Sequence, residues 1–320
     1  ERIWMTFLDY AATAPIEPRV NTVLQEWLER PLNASSVHQD GQRARSVLED
    51  CRAEVADFLN LAPHQVVFTS SATESNNLTI RGLASARNRP IRVISSQIEH
   101  SCIRETLERL EQSGDAEVTR LPVSEHGLVQ IPDNPKEAVD LLCLMAVQNE
   151  TGVVQPMKEA RALRRRSSQM LWLCDITQAV QLMPVNGPIW GADFYTFSSH
   201  KIYGPPGVGV LAGPGVELIH PQITGGPQEN EHRAGTQPVA LIRAFVEALR
   251  LAREECEHRR THLATLTERF YQKLRQAEVP FQINGEGAER APGFINISIE
   301  GFPGADLVIA MDARGFSVSS

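Results

Sequence analysis

The sequence predicts an α/β fold in which a mainly parallel sheet is covered by helices. Short apolar runs alternate with amphipathic stretches along most of the chain, the rhythm of strand and helix in such a sheet. Its 320 residues exceed one small core and suit a large domain plus a smaller one. The rhythm changes near Arg250, inside a long helical stretch, and a domain boundary is placed there.

In chain order, amphipathic stretches predict helices over residues 18–29 and 36–59, and the apolar run 66–69 predicts the first strand of the sheet. A helix over 74–86, a strand over 92–95 and a helix over 103–112 follow. Apolar runs at 118–122 and 141–147 predict two more strands. Then come a helix over 157–167 and strands over 170–174, 193–197 and 208–211. The stretch 239–277 is long for one helix and is expected to kink or break. Beyond it, 294–299 reads as a strand, 305–313 as a helix and 315–320 as a strand entering a loop. A domain should not stop in such a strand, so more chain is expected after Ser320.

The net charge of −8 argues against binding to nucleic acid or to an acidic membrane surface. No run approaches the roughly 18 apolar residues of a membrane-spanning helix. The opening ERIWMTFLDY lacks a basic stretch followed by an apolar one, so no secretory signal is read. The five cysteines, Cys51, Cys102, Cys143, Cys174 and Cys256, include no CxxC pair. They predict no metal site and no redox dithiol, and they fit a reducing cytoplasm. Asn-X-Ser/Thr strings at Asn33, Asn77 and Asn296 carry no weight without secretion.

Residues with chemistry to offer sit at predicted strand ends. VVFTSSATESNN (66–77) runs from a strand through small hydroxylated residues into a helix. That aims backbone N–H groups and the Ser71 and Thr73 hydroxyls at an anion site, although a plain N-cap explains the same residues. His100 in ISSQIEH follows a strand and opens a helix, where it faces a ligand or simply caps. LWLCDITQ ends a strand in Asp175 with Gln178 three residues on, and Asn149 in VQNETG holds a similar position. For a lone aspartate a cap is the commoner role. FSSHKIYGPPGVGV sets Lys201 between two core strands, 26 residues after Asp175. An ammonium there is costly unless it has an anion or a chemical task.

Each reading alone stays open between a bland and a chemical role. Together, an anion cradle, a histidine, an asparagine, an aspartate and a lysine suit pyridoxal phosphate. The phosphate takes the cradle, the ring nitrogen needs a carboxylate, the aldehyde needs an amine, and the ring needs a flat partner. A nucleotide-binding reading of GPPGVG fails on context, because a strand-like run follows where a helix is required.

Eight blocks follow one another along the chain: LDYAATAP (8–15), NASSVHQDGQ (33–42), VVFTSSATESNNL (66–78), EHSCI (99–103), NETGVVQP (149–156), DITQAV (175–180), FSSHKIYGPPGVGVL (197–211) and GGPQENEHRAGTQPV (225–239). In this order they resemble the cysteine desulfurases of the iron–sulfur-cluster assembly and nitrogen-fixation type, within the class V aminotransferase family of pyridoxal-phosphate enzymes. The resemblance implies the type I aminotransferase fold, with a mainly parallel seven-stranded sheet in a large domain and a smaller α+β domain. On this chain residues 15–250 would form the large cofactor-binding domain. Residues 1–14 would go with the small domain, which spans 251–320 and is incomplete at its C-terminal side.

The resemblance also implies roles. Lys201 would form the imine with the cofactor aldehyde, Asp175 would pair with the ring nitrogen, and Gln178 would hydrogen-bond the phenolic oxygen. His100 would stack on the ring and help move protons. Ala72, Thr73, Ser198 and His200 would hold the phosphate of pyridoxal 5'-phosphate, with Ser199 also in the cofactor-binding set, and Asn149 would lie beside the ring or substrate. Thr236 would reach the other subunit's cofactor in a homodimer. The implied reaction takes L-cysteine to L-alanine and leaves sulfur as a persulfide on an enzyme cysteine, for a scaffold or sulfur-acceptor protein. Pro227 and Ile176 depart from the family pattern without removing a functional group. None of the five cysteines takes the place of the nucleophile, which is expected past Ser320 together with the arginine for the substrate carboxylate. The alternatives are another class V lyase or transaminase, or a non-catalytic scaffold; intact Lys201, Asp175 and His100 count against the scaffold.

Overall fold

The computed structural model describes residues 5–135 and 137–320, so the first four residues of the N-terminal segment lie outside it. The chain opens with β1 (Thr6–Phe7), α1 (Pro18–Leu28), α2 (Gln39–Leu59), β2 (Val66–Thr69) and α3 (Ala72–Ser85). Next come β3 (Ile91–Ser96), α4 (Ser101–Ser113), β4 (Ala116–Leu121), β5 (Leu141–Cys143), α5 (Met157–Arg166), β6 (Leu171–Asp175) and α6 (Gly187–Trp190). The remainder is β7 (Phe194–Ser198), β8 (Gly209–Ala212), α7 (Val239–Gln276), β9 (Gln282–Ile283), β10 (Ile297–Ser298), α8 (Gly304–Asp312) and β11 (Phe316–Ser317).

The seven apolar runs read as strands form one sheet in the order β2-β8-β7-β6-β5-β3-β4. All neighbours from β7 to β4 are parallel, and β8 runs antiparallel to both β2 and β7. Strands β2, β5, β6, β7 and β8 are buried at every residue, as a sheet covered on both faces requires. Alternate residues of one strand feed opposite cores. Val66 and Phe68 pack with Trp172, Phe197 and Phe245, whereas Val67 packs with Ile80, Leu107 and Phe194.

The structure differs from the sequence reading in three places. The strand expected over 141–147 pairs as β5 only to Cys143. It then runs on extended, with Leu144 and Ala146 N–H groups donating to the Leu173 and Asp175 carbonyls. The stretch expected to break is one uninterrupted helix of 38 residues, α7. It contains no proline, and the pairs Arg250–Glu254, exposed, and Arg259–Glu255, half-buried, brace it at i,i+4 spacing. The change sensed near Arg250 is one of burial: most of the first fourteen residues are covered, and beyond Ala252 only Tyr271 is. The strand expected over 294–299 forms a ladder only at β10, with β9, and Ile299 adds an isolated bridge to Phe302.

Two features position the site. β1 pairs in parallel with β11, so the N-terminal segment lies beside the final strand. The outer edge of β2 is closed by side chains instead of a strand. Phe68 N–H donates to Glu229 Oε2 at 2.7 Å, and the Val66 carbonyl accepts from Arg52 Nη1 at 2.8 Å. Arg52 and Glu229 are themselves a buried bidentate pair at 2.7 and 3.0 Å. An ion pair thus supplies the donor and acceptor that a neighbouring strand would, and it hides an edge open to aggregation. It also pins the loop 225–238, in which Glu229, Asn230 and Glu231 all hold left-handed backbone, with φ of 49°, 53° and 67°.

Candidate active site

Strands β2, β3, β6 and β7 all point the same way, so the turns that leave them meet at one end of the sheet. At the β2–α3 turn Ser71 caps the helix, its Oγ accepting from Glu74 N–H at 3.2 Å. Ala72 N–H donates to Ser198 Oγ at 2.6 Å, which joins the first turn of α3 to the end of β7. The first-turn amides of a helix have no intrahelical acceptor, so the turn around Thr73 is a place for an anion. β8 passes directly beneath it: a Cβ on Gly209 would lie 2.3 Å from the Ser71 carbonyl carbon.

Asp175 ends β6 and is buried. Its Oδ2 accepts from Asn76 Nδ2 at 2.9 Å, and its Oδ1 accepts from Thr177 N–H at 2.9 Å. Asn76 is oriented in turn by Thr196, whose hydroxyl donates to Asn76 Oδ1 at 2.7 Å. Both donors to the carboxylate are neutral, so they orient it without cancelling its charge.

Lys201 sits on the short turn Ser199–Lys201 after β7. Its Nζ donates to the Ala11 and Ala12 carbonyls at 2.5 Å each, and Gln178 Nε2 donates to the same Ala11 carbonyl at 3.0 Å. Burial pushes the lysine pKa down, while Asp9 and Asp175 pull it back up. His200 Nδ1 lies 3.1 Å from Thr13 Oγ1, and burial together with the Lys201 charge lowers its pKa. The sequence had pointed to LDYAATAP as a block without giving it a task; here its carbonyls hold the lysine.

His100 is exposed at the start of α4 and serves as its cap. Its Nδ1 accepts from Cys102 N–H at 3.2 Å and lies 3.0 Å from Cys102 Sγ. An accepting Nδ1 leaves the neutral ring with its proton on Nε2. A cavity of about 370 Å³ opens between α3 and α4, lined by Thr73, His100 and Cys102 among others.

Other expected residues stand apart from this group. Asn149 is half-buried in the turn after the β5 segment, and its neighbour Gln148 organises that turn by accepting from Glu150 and Thr151 N–H. Ser199 is fully buried against the Gly204 turn, and its hydroxyl has no partner among the described residues. Thr236 is exposed on the loop pinned by Glu229 and by the Arg233–Glu74 pair at 2.8 Å. Sequence reasoning passed over Asn76, although a buried Asn one turn into α3 is the sort of residue that must have a partner.

This donor set fits pyridoxal phosphate. The amide cradle at Ala72 and Thr73, joined to Ser198, suits a phosphate. The oriented, uncancelled Asp175 carboxylate suits a protonated ring nitrogen, and the amine with lowered pKa suits an aldehyde. None of the five cysteines presents an exposed, readily deprotonated thiol; Cys256, on α7, is half-buried, and burial raises its pKa. Cys51, Cys143 and Cys174 are buried. The Cys102 thiol is fixed in a helical turn, where burial pushes its pKa up to about 12.

The family described as aminotransferase class-V matches residues 6–320. The chain is 37% identical to a mitochondrial cysteine desulfurase of Arthroderma benhamiae, a match that takes in 98% of this chain and 64% of that protein. It is 34% identical to the cysteine desulfurase IscS of Dictyoglomus turgidum, over 98% of this chain and 80% of the relative. Its structure is similar to that of a NifS-like protein, with a TM-score of 0.93 at 28% identity, covering 99% of this chain and 87% of the other. With a family model matching nearly the whole chain and relatives of this kind at 34–37% identity, the chain belongs to the pyridoxal-phosphate-dependent cysteine desulfurases of the class-V aminotransferase family.

Proposed function

We propose that this chain performs the cofactor half of cysteine desulfuration, taking L-cysteine to L-alanine and passing the sulfur to an enzyme cysteine thiolate. The observation that carries the reading is the pairing of a half-buried lysine amine with an aspartate oriented by neutral donors at one end of the sheet. When bound, pyridoxal phosphate supplies the electron sink that makes the substrate α-proton removable.

The residues supply the rest. Lys201 Nζ, with its lowered pKa, would hold the cofactor aldehyde and, as a free amine, would accept the substrate α-proton. Asp175 keeps the ring nitrogen protonated, fixed in place by Asn76 and the Thr177 N–H. Gln178, tied to the Ala11 carbonyl beside Lys201, faces the phenolic oxygen. Ala72, Thr73, Ser198 and His200 would anchor the phosphate end, while Asn149 would border the substrate. His100, a neutral ring with its proton on Nε2, stacks on the cofactor and relays protons. Thr236 completes the site of a second copy in a homodimer, and a sulfur-acceptor or iron–sulfur scaffold protein receives the product sulfur. We place residues 15–250 as the cofactor domain, with 1–14 and 251–320 in the small domain, and a reducing cytoplasm suits the five free cysteines.

Full-length protein given L-cysteine and a thiol reductant should release sulfide and alanine in equal amounts, and Lys201→Ala should abolish both. Release of neither by the wild-type protein overturns the proposal. Sulfide released with pyruvate and ammonia in place of alanine would point to a different class V reaction.

A further inference from the structure

Glu99 is the buried acid that the reading above leaves without a task. It stands beside His100 in the β3–α4 turn and is 3% exposed. Its Oε1 accepts from the Ser96 hydroxyl at 2.9 Å and from Met145 N–H at 3.1 Å. Its Oε2 is fully buried and has no partner among the described residues. The titratable groups around it are Asp175 and Cys174 on β6, Cys143 on β5 and Cys102 on α4, none of them a cation. An ionised carboxylate needs donors on both oxygens or a cation nearby. An un-ionised acid asks far less, because an unpaired buried hydroxyl costs much less than an unpaired buried charge.

We infer that Glu99 is a positioning residue that works as a neutral carboxylic acid: its Oε1 ties the His100 turn to the chain after β5, and its proton sits on Oε2, so that Asp175 stays the single carboxylate under the cofactor. The tie reaches three strand ends. Ser96 closes β3, Met145 extends β5, and the next residue, Ala146, donates its N–H to the Asp175 carbonyl at 2.9 Å. A shift at Glu99 therefore moves His100 and Asp175 together. Desolvation, helped by the Asp175 charge, pushes the Glu99 pKa up to about 7, in the direction that the lone oxygen requires.

What His100 and Asp175 do rests on the proposed function; the protonation state of Glu99 does not. The sign of its linkage is fixed. Between about 4.3, the free-glutamate value, and about 7 the folded chain holds the proton and the unfolded chain does not. Wild-type stability therefore falls across that window relative to a neutral side chain.

The experiment compares full-length wild type with Glu99→Gln and Glu99→Ala. Infrared spectra at about pH 6 should show a protonated-carboxyl band that Glu99→Gln lacks and that fades as pH rises past the titration. The Tm of Glu99→Gln minus that of wild type should widen from about pH 4.5 to about pH 7.5. At about pH 6, Glu99→Gln should keep kcat and cofactor affinity within about threefold, and Glu99→Ala should lose about tenfold or more in both. A flat Tm difference, no assignable carboxyl band, or a Gln variant as impaired as Ala each overturns the inference. If the wild-type protein binds no cofactor, the proposed function fails while the band and the Tm difference still decide the state of Glu99. If Glu99→Ala does not fold, the Gln comparison decides alone.

Discussion

Glu229→Ala should be the most destabilising single change outside the lysine pocket. The carboxylate is 1% exposed and serves three donors: its salt-bridge partner Arg52, Phe68 N–H and Gln237 Nε2. Its removal leaves the Arg52 guanidinium, 4% exposed, with the neutral Val66 carbonyl at 2.8 Å and Glu49 at 3.2 Å on the solvent side. Breaking a buried pair by deleting one partner costs about 3–5 kcal/mol. Glu49 brings the expected value to the lower half of that range, about 3–4 kcal/mol. At roughly 2 °C per kcal/mol for a chain of this length, Tm should fall by about 6–8 °C. Removing both charges, Arg52→Met with Glu229→Met, should cost less than the sum of the single changes, because no lone charge stays buried. Urea titration and calorimetry at fixed cofactor concentration measure both, and protease cutting within 225–238 should rise in Glu229→Ala as the left-handed turn loses its anchor. A loss below about 1 kcal/mol, the scale of a surface ion pair, would refute the edge-closing role.

Lys201→Ala should remove the visible absorbance of the bound cofactor and lower turnover by at least about 10²-fold; a variant that keeps the band takes Lys201 out of its proposed role. Ser198→Ala strands the Ala72 N–H and should weaken cofactor binding by about tenfold, whereas an unchanged dissociation rate in dialysis would argue against a phosphate cradle there. Gly209→Ala puts a methyl 2.3 Å from backbone at Ser71, and should cost at least about 1–3 kcal/mol by thermal melting. The lowered pKa of Lys201 means the unfolded chain binds a proton that the folded one releases, so without cofactor stability should rise with pH up to about 10.4, the free-lysine value. Melts of Lys201→Met should lack that rise, and an identical pH dependence in both proteins would contradict the burial argument.

The sheet was legible because burial on both faces leaves a chemical mark. Residues 66–68 and 171–174 are apolar throughout, and their flanks turn polar where the strands leave the core. The chemical residues were legible for the same reason: Asp175, Ser198, His100 and Lys201 stand where apolar runs stop. Helix α7 was misread because its two halves differ in burial, and pattern reports burial more directly than continuity. The edge-closing pair was not legible at all, since Arg52 and Glu229 lie 177 residues apart and each looks like an ordinary surface charge.

By itself, then, the sequence determined the α/β architecture, the strand ends that face the site and the chemical character of the residues there, because these follow from local hydrophobicity and residue type. Only the tertiary structure decided how those residues are held. The Ala11 and Ala12 carbonyls on Lys201, Asn76 on Asp175, Glu229 on the edge of β2 and the Met145 N–H on Glu99 are all contacts between segments distant in the chain. Such contacts arise from long-range packing and desolvation, which no local pattern encodes.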